Sequence, residues 1–499
     1  MRKKKTFTIA VLLILILTVA GVVTYCNGKT QKAAMENDYS RLSWTAAFEE
    51  LHQIMSHEYA FTDWKGIDWN QLYREYQPQI ENAEKNSDFN AYYIALRSYL
   101  NQIPDGHVRV NNLEPIDDLY IGGGFGLAVA QLDDGRIIAS WVDEAGPAWT
   151  AGIRPGAELV LWNGQQAKQA VEAVSTVFAG TSATSETLQY KKLTYLVRAP
   201  INDKVEIEYL NPDSTEKAAV TLIAYDDQRE SLKKNYPDSV VSNKIRDMFV
   251  GVENSDPVPE SMVETRIINN DITYIKIYGE IDADLQETGT TQSTLDLFRS
   301  AVAAAKNRGS RGLILDLRSN IGGLDNMTAD ILGSFYSEKT FFEYQNMYNP
   351  ETGKFEIQMA ESDSQGLYIK PADVCYNGQI IALINNKCVS SGEGLAMGIK
   401  NLPNGETLGF YGTNGSFGLA GSEAEMPGGL TVHWPSGQSL DENKRIQLDS
   451  QNGVGGVSPS IRIPITTETA PRIANGEDVE LEEAISTLNF SMSGIDQSD

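Results

Sequence analysis

The stretch GLILDLRSNIGG, residues 312–323, decides the fold because an apolar run stops abruptly at a polar segment and a glycine pair. A short apolar run of this kind predicts a buried strand. Similar runs occupy residues 272–278 and 378–385, and an alanine-rich helix is predicted at residues 295–306. Buried strands that alternate with helices indicate an α/β core with a largely parallel sheet.

Beyond the third strand lies the segment NNKCVSSGEG, residues 385–394, followed by a helix predicted at residues 391–400. Ser390 would stand where the strand gives way to the helix, and backbone N–H groups converge at a helix N-terminus. Such donors can stabilise an oxyanion beside a serine nucleophile. Ser390 and Glu393 also fit a helix capping box, and the two interpretations are compatible.

Gly322 and Gly323 end the first stretch. Glycine lets the backbone approach a ligand closely and turn its N–H groups outward. The pair therefore predicts either a site of close approach or a simple turn.

A serine needs a base to become a nucleophile at neutral pH. The chain has four histidines: His52, His57, His107 and His433. His52 and His57 are five residues apart on a predicted helix and lack the zinc pattern His-Glu-x-x-His, so they indicate surface or packing roles. His107 follows the helix-breaking IPDG segment and is expected to project into a cleft. His433, on a predicted strand at residues 429–434, is the second candidate.

The rest of the chain divides by composition. Residues 36–117 are expected to be helical, since apolar and aromatic residues recur at helical spacing. Residues 118–225 hold glycines and short apolar strands, and residues 226–262 read as a linker or a surface helix. Residues 263–499 are expected to form the core, and within them residues 336–370 show little regular pattern. Within the second region, GGGFGLAV (residues 122–129) could hold a carboxylate on unpaired N–H groups. It is not a phosphate-binding P-loop, because no Gly-Lys-Ser/Thr follows.

The net charge and the spacing of the cysteines argue against a nucleic-acid partner and against a disulfide. The 499 residues include 41 Lys and Arg against 67 Asp and Glu, for a net charge of −26. So acidic a chain repels phosphate backbones, which argues against a nucleic-acid partner. Cys375 and Cys388 bracket a predicted strand of about 26 Å. That span is far too long for a disulfide, so both are expected to be free thiols.

The N-terminus predicts export from the cytoplasm. Residues 2–5 are basic, and residues 7–23 form an uncharged apolar stretch. A cleaved signal peptide, an uncleaved membrane anchor and, through Cys26, a lipoprotein all remain open. Each of them places the body at the cell membrane or in the secreted fraction, because the basic flank stays inside.

Several segments, taken in order, resemble the tail-specific, or C-terminal processing, serine peptidases, particularly the branch similar to the tricorn protease core. The likeness spans roughly residues 40–485. Residues 124–129, 145–148, 151–156 and 162–164 look like a PDZ domain. Residues 315–323 match the family's Asp-Leu-Arg-x-Asn-x-Gly-Gly, residues 390–393 its nucleophile segment, and residues 412–415 and 455–459 two later segments.

The resemblance implies a crotonase-like α/β peptidase core with a helical N-terminal domain and an inserted PDZ domain. It implies Ser390 as nucleophile and His107 as base. The oxyanion donors would be the N–H groups of Gly322 or Gly323 and of Ser391. The PDZ loop formed by Gly124, Phe125, Gly126 and Leu127 would bind the substrate's free C-terminus. No metal or cofactor is implied.

The chain also departs from the family pattern. The commoner members use a Ser-Lys dyad, but no Lys or Arg occurs between Lys400 and Lys444 here, which favours histidine. The tricorn-like branch can carry a serine before its histidine, where this chain has Gly106. That branch orients the histidine with a glutamate, and the matching residues 449–453 contain none. Asp449 is the nearest acid, and Asn452 matches the position equally well.

The expected function is that of an extracytoplasmic serine endopeptidase acting on peptides or unfolded protein tails. The membrane would be contacted through residues 7–23. The alternative is a non-catalytic, PDZ-containing peptide-binding protein on a degenerate peptidase core, an interpretation that rests on Gly106 and on the missing glutamate.

Overall fold

The computed structural model describes residues 37–236, 240–249, 258–286, 288–359 and 365–495. The predicted export segment at residues 7–23 and Cys26 lie outside these residues. Within the part described, no helix has both the length and the apolar character needed to cross a bilayer. Cys375 and Cys388 are free thiols, as predicted.

The N-terminal part, residues 37–121, is helical, and we call it the helical domain. Ser43, Asp68 and Asp88 cap three of its helices by accepting a backbone N–H with their side-chain oxygens. The final helix runs across the predicted boundary at residue 117, so the change of fold comes at Gly122. The elements are α1 (Trp44–Glu58), α2 (Thr62–Lys65), α3 (Trp69–Asn86), α4 (Phe89–Leu100), β1 (Arg109–Val110) and α5 (Glu114–Ile121).

Residues 122–225 form the middle domain, an antiparallel sheet of order β3-β4-β5-β8-β9 with its own buried core. Short strand β6 pairs antiparallel with β5, and β2 pairs separately with β7. The elements are β2 (Gly123–Gly124), β3 (Leu127–Gln131), β4 (Ile137–Val142), α6 (Pro147–Thr150), β5 (Glu158–Trp162), β6 (Gln165–Gln166), α7 (Ala167–Glu172), α8 (Ser185–Leu196), β7 (Arg198–Ala199), β8 (Lys204–Leu210) and β9 (Ala218–Ile223). Two helices follow in the predicted linker, α9 (Glu230–Lys234) and α10 (Val240–Phe249).

The core, residues 263–495, is built on a sheet of order β10-β11-β12-β16-β17-β20, in which only β10 is antiparallel to its neighbour. The predicted α/β core with a largely parallel sheet is confirmed. Its elements are β10 (Val263–Ile267), β11 (Ile272–Ile277), α11 (Thr294–Arg308), β12 (Gly312–Asp316), α12 (Asp325–Leu332), β16 (Gln379–Leu383), α13 (Ser391–Lys400), β17 (Gly405–Gly409), β20 (Ile461–Arg462), α14 (Thr469–Ala474) and α15 (Val479–Ile495).

A second, antiparallel sheet joins the core to the helical domain. It comprises β1, β13 (Thr340–Asn349), β14 (Lys354–Ile357), β15 (Gly366–Ile369), β18 (Leu419–Met426) and β19 (Leu430–Leu440). The region that shows little pattern in the sequence therefore contributes three strands. Strand β1 begins two residues after His107 and pairs with β19. Val432 and Trp434 of β19 are buried in the same apolar cluster as residues of helices α1 to α4. This shared apolar cluster holds the segment around His107 against the core, residues 263–495.

Candidate active site

Ser390 lies at a strained turn between β16 and α13. Its backbone has φ 58° and ψ −132°, a region that residues with side chains rarely adopt. Such a conformation costs on the order of 1–3 kcal/mol and persists only where the surroundings enforce it. Here the Ser390 N–H donates to the Ser416 carbonyl at 3.1 Å, and Gly322 packs against the Ser390 side chain. Strain of this kind concentrates at functional positions.

The capping-box prediction is wrong. The Ser390 hydroxyl makes no capping hydrogen bond to α13. The buried Glu393 carboxylate turns instead to the 413–416 loop, where it accepts from Thr413 Oγ1 at 2.6 Å, Gly415 N at 2.7 Å and Ser416 N at 2.9 Å. Glu393 therefore shapes that loop, and the Ser390 hydroxyl has no hydrogen-bond partner among the described residues.

The backbone N–H groups of Gly322, Gly323 and Ser391 are the predicted oxyanion donors. Gly322 N donates to Asn320 Oδ1 at 2.8 Å, so this N–H is already engaged. In the described structure no hydrogen bond engages Gly323 N, and Ser391 N is the first N–H of α13, which has no partner within the helix. Gly323 and Ser391, rather than Gly322, thus have N–H groups available to stabilise an oxyanion.

Gly322 allows the close contact with Ser390 because it has no side chain. Its φ is +79°, and a Cβ atom there would lie 2.7 Å from Ser390 Cβ. Only glycine allows both the conformation and the contact. On the other side of the turn, the Ser391 hydroxyl donates to Asp325 Oδ1 at 2.7 Å, which fixes the first residue of α13. Burial raises the pKa of Asp325 to about 6, against the opposing effects of Ser391 and His107.

His107 lies in a tight turn between α4 and β1. The backbone N–H of His107 donates to Asp105 Oδ1 at 2.9 Å, and the ring Nδ1 of His107 is 3.5 Å from the same oxygen. Asp105 is fully buried and also accepts from Tyr59 Oη at 2.9 Å and from Lys65 Nζ at 3.3 Å. Burial by itself would raise the pKa of Asp105, but Lys65 and His107 lower it further than burial raises it. A charged carboxylate therefore stands beside the imidazole.

Ser416 joins the two predicted catalytic segments. Its Oγ accepts from Gly106 N at 2.8 Å, and its carbonyl accepts from Ser390 N. The turn that carries His107 and the turn that carries Ser390 are thus both bonded to one residue. A Cβ at Gly106 would lie 2.3 Å from Asn414 Oδ1, so a larger residue there would require the Asn414 side chain to shift. The glycine at position 106 is therefore explained by this packing.

Asp449 lies near this group but contacts different residues. Its Oδ2 accepts from Phe417 N at 3.0 Å, and its Oδ1 is 3.3 Å from Lys65 Nζ. In the described contacts Asp105, and not Asp449, is the carboxylate beside His107. Burial raises the pKa of Asp449, and Asp105 raises it further against the opposing effect of Lys65. Asn452 lies in an exposed turn with φ 53°.

The remaining histidines have other surroundings. His52 Nδ1 lies 3.0 Å from Tyr99 Oη, and His57 Nδ1 lies 2.7 Å from the Gln53 carbonyl, consistent with packing and surface roles. His433 pairs across the sheet with Arg109 and lies 3.4 Å from a Glu423 oxygen. Burial, with a smaller effect of Arg109, lowers the pKa of His433 to about 4.

The glycine-rich loop of the middle domain is buried. Gly124 N donates to the Tyr225 carbonyl at 2.9 Å, and a Cβ at Gly124 would lie 2.3 Å from the Asp227 carboxylate, which pairs with Arg198. The side chain of Phe125 packs edge-on against Trp162. Gly126 and Leu127 are buried as well. Gly124 is therefore no free donor for a substrate carboxylate.

An uncommitted serine on a strained turn, two free backbone donors and a histidine beside a buried carboxylate are the parts used by serine hydrolases. Residues 271–463 match the family model Peptidase family S41, and residues 40–91 match Tricorn protease C1 domain. Residues 271–463, which include Ser390, are thus similar to peptidase family S41, and residues 40–91 to the tricorn protease C1 domain. No curated protein matches the chain.

Solved structures of mature CPAF share the fold at low sequence identity, and a further solved structure matches with a lower TM-score. Mature CPAF complexed with lactacystin is 14% identical, with 91% of this chain and 99% of that chain covered and a TM-score of 0.61. Mature CPAF is 13% identical, with 91% and 98% covered and a TM-score of 0.61. The photosystem II D1 C-terminal processing protease is 16% identical, with 88% and 98% covered and a TM-score of 0.37.

Proposed function

We propose that this chain is a serine endopeptidase that cleaves polypeptides through an acyl-enzyme on Ser390. The observation that carries the proposal is the geometry at Ser416. This one residue bonds the strained turn of Ser390 and the turn of His107, while the Ser390 hydroxyl is left uncommitted. The family and the fold support a peptidase, and the site supplies the residues for the reaction.

The proposed reaction has two halves. The His107 imidazole accepts the Ser390 proton as Oγ attacks the scissile carbonyl, and the Asp105 carboxylate stabilises the resulting imidazolium. The N–H groups of Gly323 and Ser391 stabilise the oxyanion. The imidazolium then protonates the departing amine, which leaves an acyl ester on Ser390. In the second half a water molecule, deprotonated by His107, hydrolyses this ester and restores the serine hydroxyl.

The first experiment tests the nucleophile. We expect a fluorophosphonate probe to label the wild-type chain at Ser390, and a disordered peptide with an apolar tail to be cleaved. Ser390→Ala should abolish both labelling and cleavage, whereas Ser391→Ala, a matched change of the neighbouring serine, should retain labelling. Equal turnover by wild type and Ser390→Ala would contradict the proposal. Peptide binding without turnover by the wild type would favour the non-catalytic binding protein.

A second comparison tests the base. His107→Ala should lose labelling, whereas His433→Ala should keep it, because His433 contacts Arg109 and Glu423 on the second sheet. The reverse result would transfer the role to His433.

We further propose that the middle domain is a PDZ domain that binds the free C-terminus of the substrate. Since Gly124 N is engaged, the carboxylate would be held by Phe125 N and Gly126 N, which no hydrogen bond engages in the described structure. Amidating the C-terminus of the peptide should then weaken binding to the Ser390→Ala variant. Unchanged affinity would contradict carboxylate recognition.

Finally, we propose that the body acts outside the cytoplasm, at the membrane or secreted. The basic residues 2–5 and the apolar residues 7–23 support this, because the positive flank of such a segment stays inside. In intact bacterial cells that express the full chain, we expect the body to be digested by added protease or released into the medium. Protection equal to that of a cytosolic control protein would contradict the proposal.

A further inference from the structure

Residues 176–186 of the middle domain, the loop before α8 and the first two residues of that helix, cross from the helical domain to the core, and we call them the strap. At its start, Arg97 Nε donates to the Val177 carbonyl at 2.9 Å, and Asn101 Nδ2 donates to Thr176 Oγ1 at 3.1 Å. These bonds fix the strap to helix α4 and the residue that follows it. The same helix leads into the turn that carries His107.

At its other end the strap contacts the loops around Ser390. Ser185 N donates to the Gly453 carbonyl at 2.8 Å, and Gly412 N donates to the Glu186 carboxylate at 2.8 Å. Thr184 packs closely on Gly415: a Cβ added at Gly415 would lie 2.7 Å from the Thr184 methyl group. The strap is therefore bonded or packed against both halves of the proposed site.

Thr181 stands in the middle of the strap and touches the histidine turn itself. Its Oγ1 lies 2.7 Å from the Asp105 carbonyl and 2.8 Å from the Val108 carbonyl, so its proton is shared between two carbonyls that flank Gly106 and His107. A hydrogen bond shared in this way restrains the backbone on both sides of His107.

Lys191 of helix α8 holds Thr181 in place. Its ammonium group donates to the Thr181 carbonyl and to the Gly180 carbonyl. Burial, with a smaller effect of Lys387, lowers the pKa of Lys191 to about 8, so the ammonium group is still mostly protonated at pH 7. The restraint on His107 thus runs back to a regular helix of the middle domain.

We infer that Thr181 is a positioning residue that holds the His107 turn in register with Ser390, which makes the middle domain a structural part of the active site. The inference rests on the proposed function. Three parts of the molecule then fix this turn: Lys65 and Tyr59 from the helical domain, Ser416 from the core and Thr181 from the middle domain. Thr181 reaches His107 only through the backbone of the turn, so it takes no part in the chemistry itself.

The test compares Thr181→Val, which removes the hydroxyl at nearly constant volume, with Thr181→Ser, which keeps it. The control is Thr194→Val, because Thr194 lies in the same domain, donates to the Tyr190 carbonyl and accepts from Asn235 Nδ2, and its described contacts include none with the histidine turn. We expect Thr181→Val to lower kcat and the rate of fluorophosphonate labelling by about 10-fold, since misplacing a catalytic group slows the reaction. KM should change less than about 2-fold, because substrate contacts are untouched.

Thr181→Ser should restore kcat to within about 3-fold of wild type, and Thr194→Val should match wild type. Wild-type kcat in Thr181→Val, or equal losses of kcat in Thr181→Val and Thr194→Val, would overturn the inference while the proposed function stands. A wild-type chain that neither cleaves nor labels would instead overturn the proposed function and the inference with it.

Discussion

The turns of Ser390 and His107 are built in different ways. The Ser390 turn belongs to the core, where a strand, a strained residue and a helix follow one another along the chain and Gly322 packs against them. The His107 turn is held by residues from the helical domain, the middle domain and the core. Changes at the first turn should therefore act through local crowding and strain, and changes at the second through distant partners.

The largest effect is expected from crowding the Ser390 turn. Gly322→Ala adds a Cβ atom 2.7 Å from Ser390 Cβ at a φ of +79°, so we expect kcat to fall by about 10³-fold, the scale of a lost oxyanion donor. Steady-state peptide cleavage measures this. The control is Gly309→Ala. Its φ is +80° as well, but an added Cβ would have no neighbouring atom within 4 Å beyond the adjacent residues. If both variants lose the same activity, backbone strain and not contact with Ser390 is responsible.

The next effect distinguishes the two carboxylates near His107. Asp105→Asn removes the charge that contacts the imidazole, so we expect kcat to fall by about 10²-fold with little change in KM. Asp449→Asn keeps an acceptor for Phe417 N and should cost less than about 10-fold. Both variants are to be compared by peptide cleavage at equal folded fraction. A larger loss in Asp449→Asn would make Asp449 the partner of His107.

A smaller effect is expected from replacing Gly106 by serine, the residue that the tricorn-like branch can carry before its histidine. Gly106→Ser should lower kcat by about 10-fold and destabilise the fold by about 1–3 kcal/mol, because its Cβ would lie 2.3 Å from Asn414 Oδ1. The double variant with Asn414→Ala should recover part of both losses, as seen in cleavage rates and melting temperatures. No recovery would mean that a contact other than Asn414 excludes the side chain.

The smallest effect on activity is expected at Glu280, where a change should alter stability alone. The buried Glu280 accepts from Asn320 Nδ2 at 2.8 Å, and Asn320 in turn accepts from Gly322 N. Burial raises the pKa of Glu280 from 4.5 to about 7, against the opposing effect of the Asn320 hydrogen bond. The folded protein thus binds this proton more tightly than the unfolded chain, so stability should fall as pH rises from 4.5 to about 7.

Glu280→Gln keeps an acceptor for Asn320 without the charge. We expect it to match wild type in melting temperature near pH 5 and to exceed it near pH 8, by an amount that corresponds to about 3 kcal/mol at most. The exposed Glu442→Gln serves as control and should show no such dependence on pH. A parallel pH dependence in wild type and Glu280→Gln would assign the effect to other groups.

Local patterns predicted much of the core. The buried strands and the helix at residues 391–400 formed as expected, since apolar runs and helix signals act between near neighbours. The strands of residues 340–369 were missed because most side chains of β13 are only partly buried, which blurs the alternation that marks a strand. Similarly, the spacing of Ser390 and Glu393 predicted a cap, but Glu393 bonds with Thr413, Gly415 and Ser416.

The sequence by itself determined the strand before Ser390 and the helix after it, because these follow from residues close together along the chain. Only the tertiary structure decided that Asp105 contacts His107, that Gly323 and not Gly322 has a free N–H, and that Thr181 reaches the histidine turn. These are contacts and hydrogen bonds whose donors and acceptors compete for partners in space. No local pattern records which partner is taken.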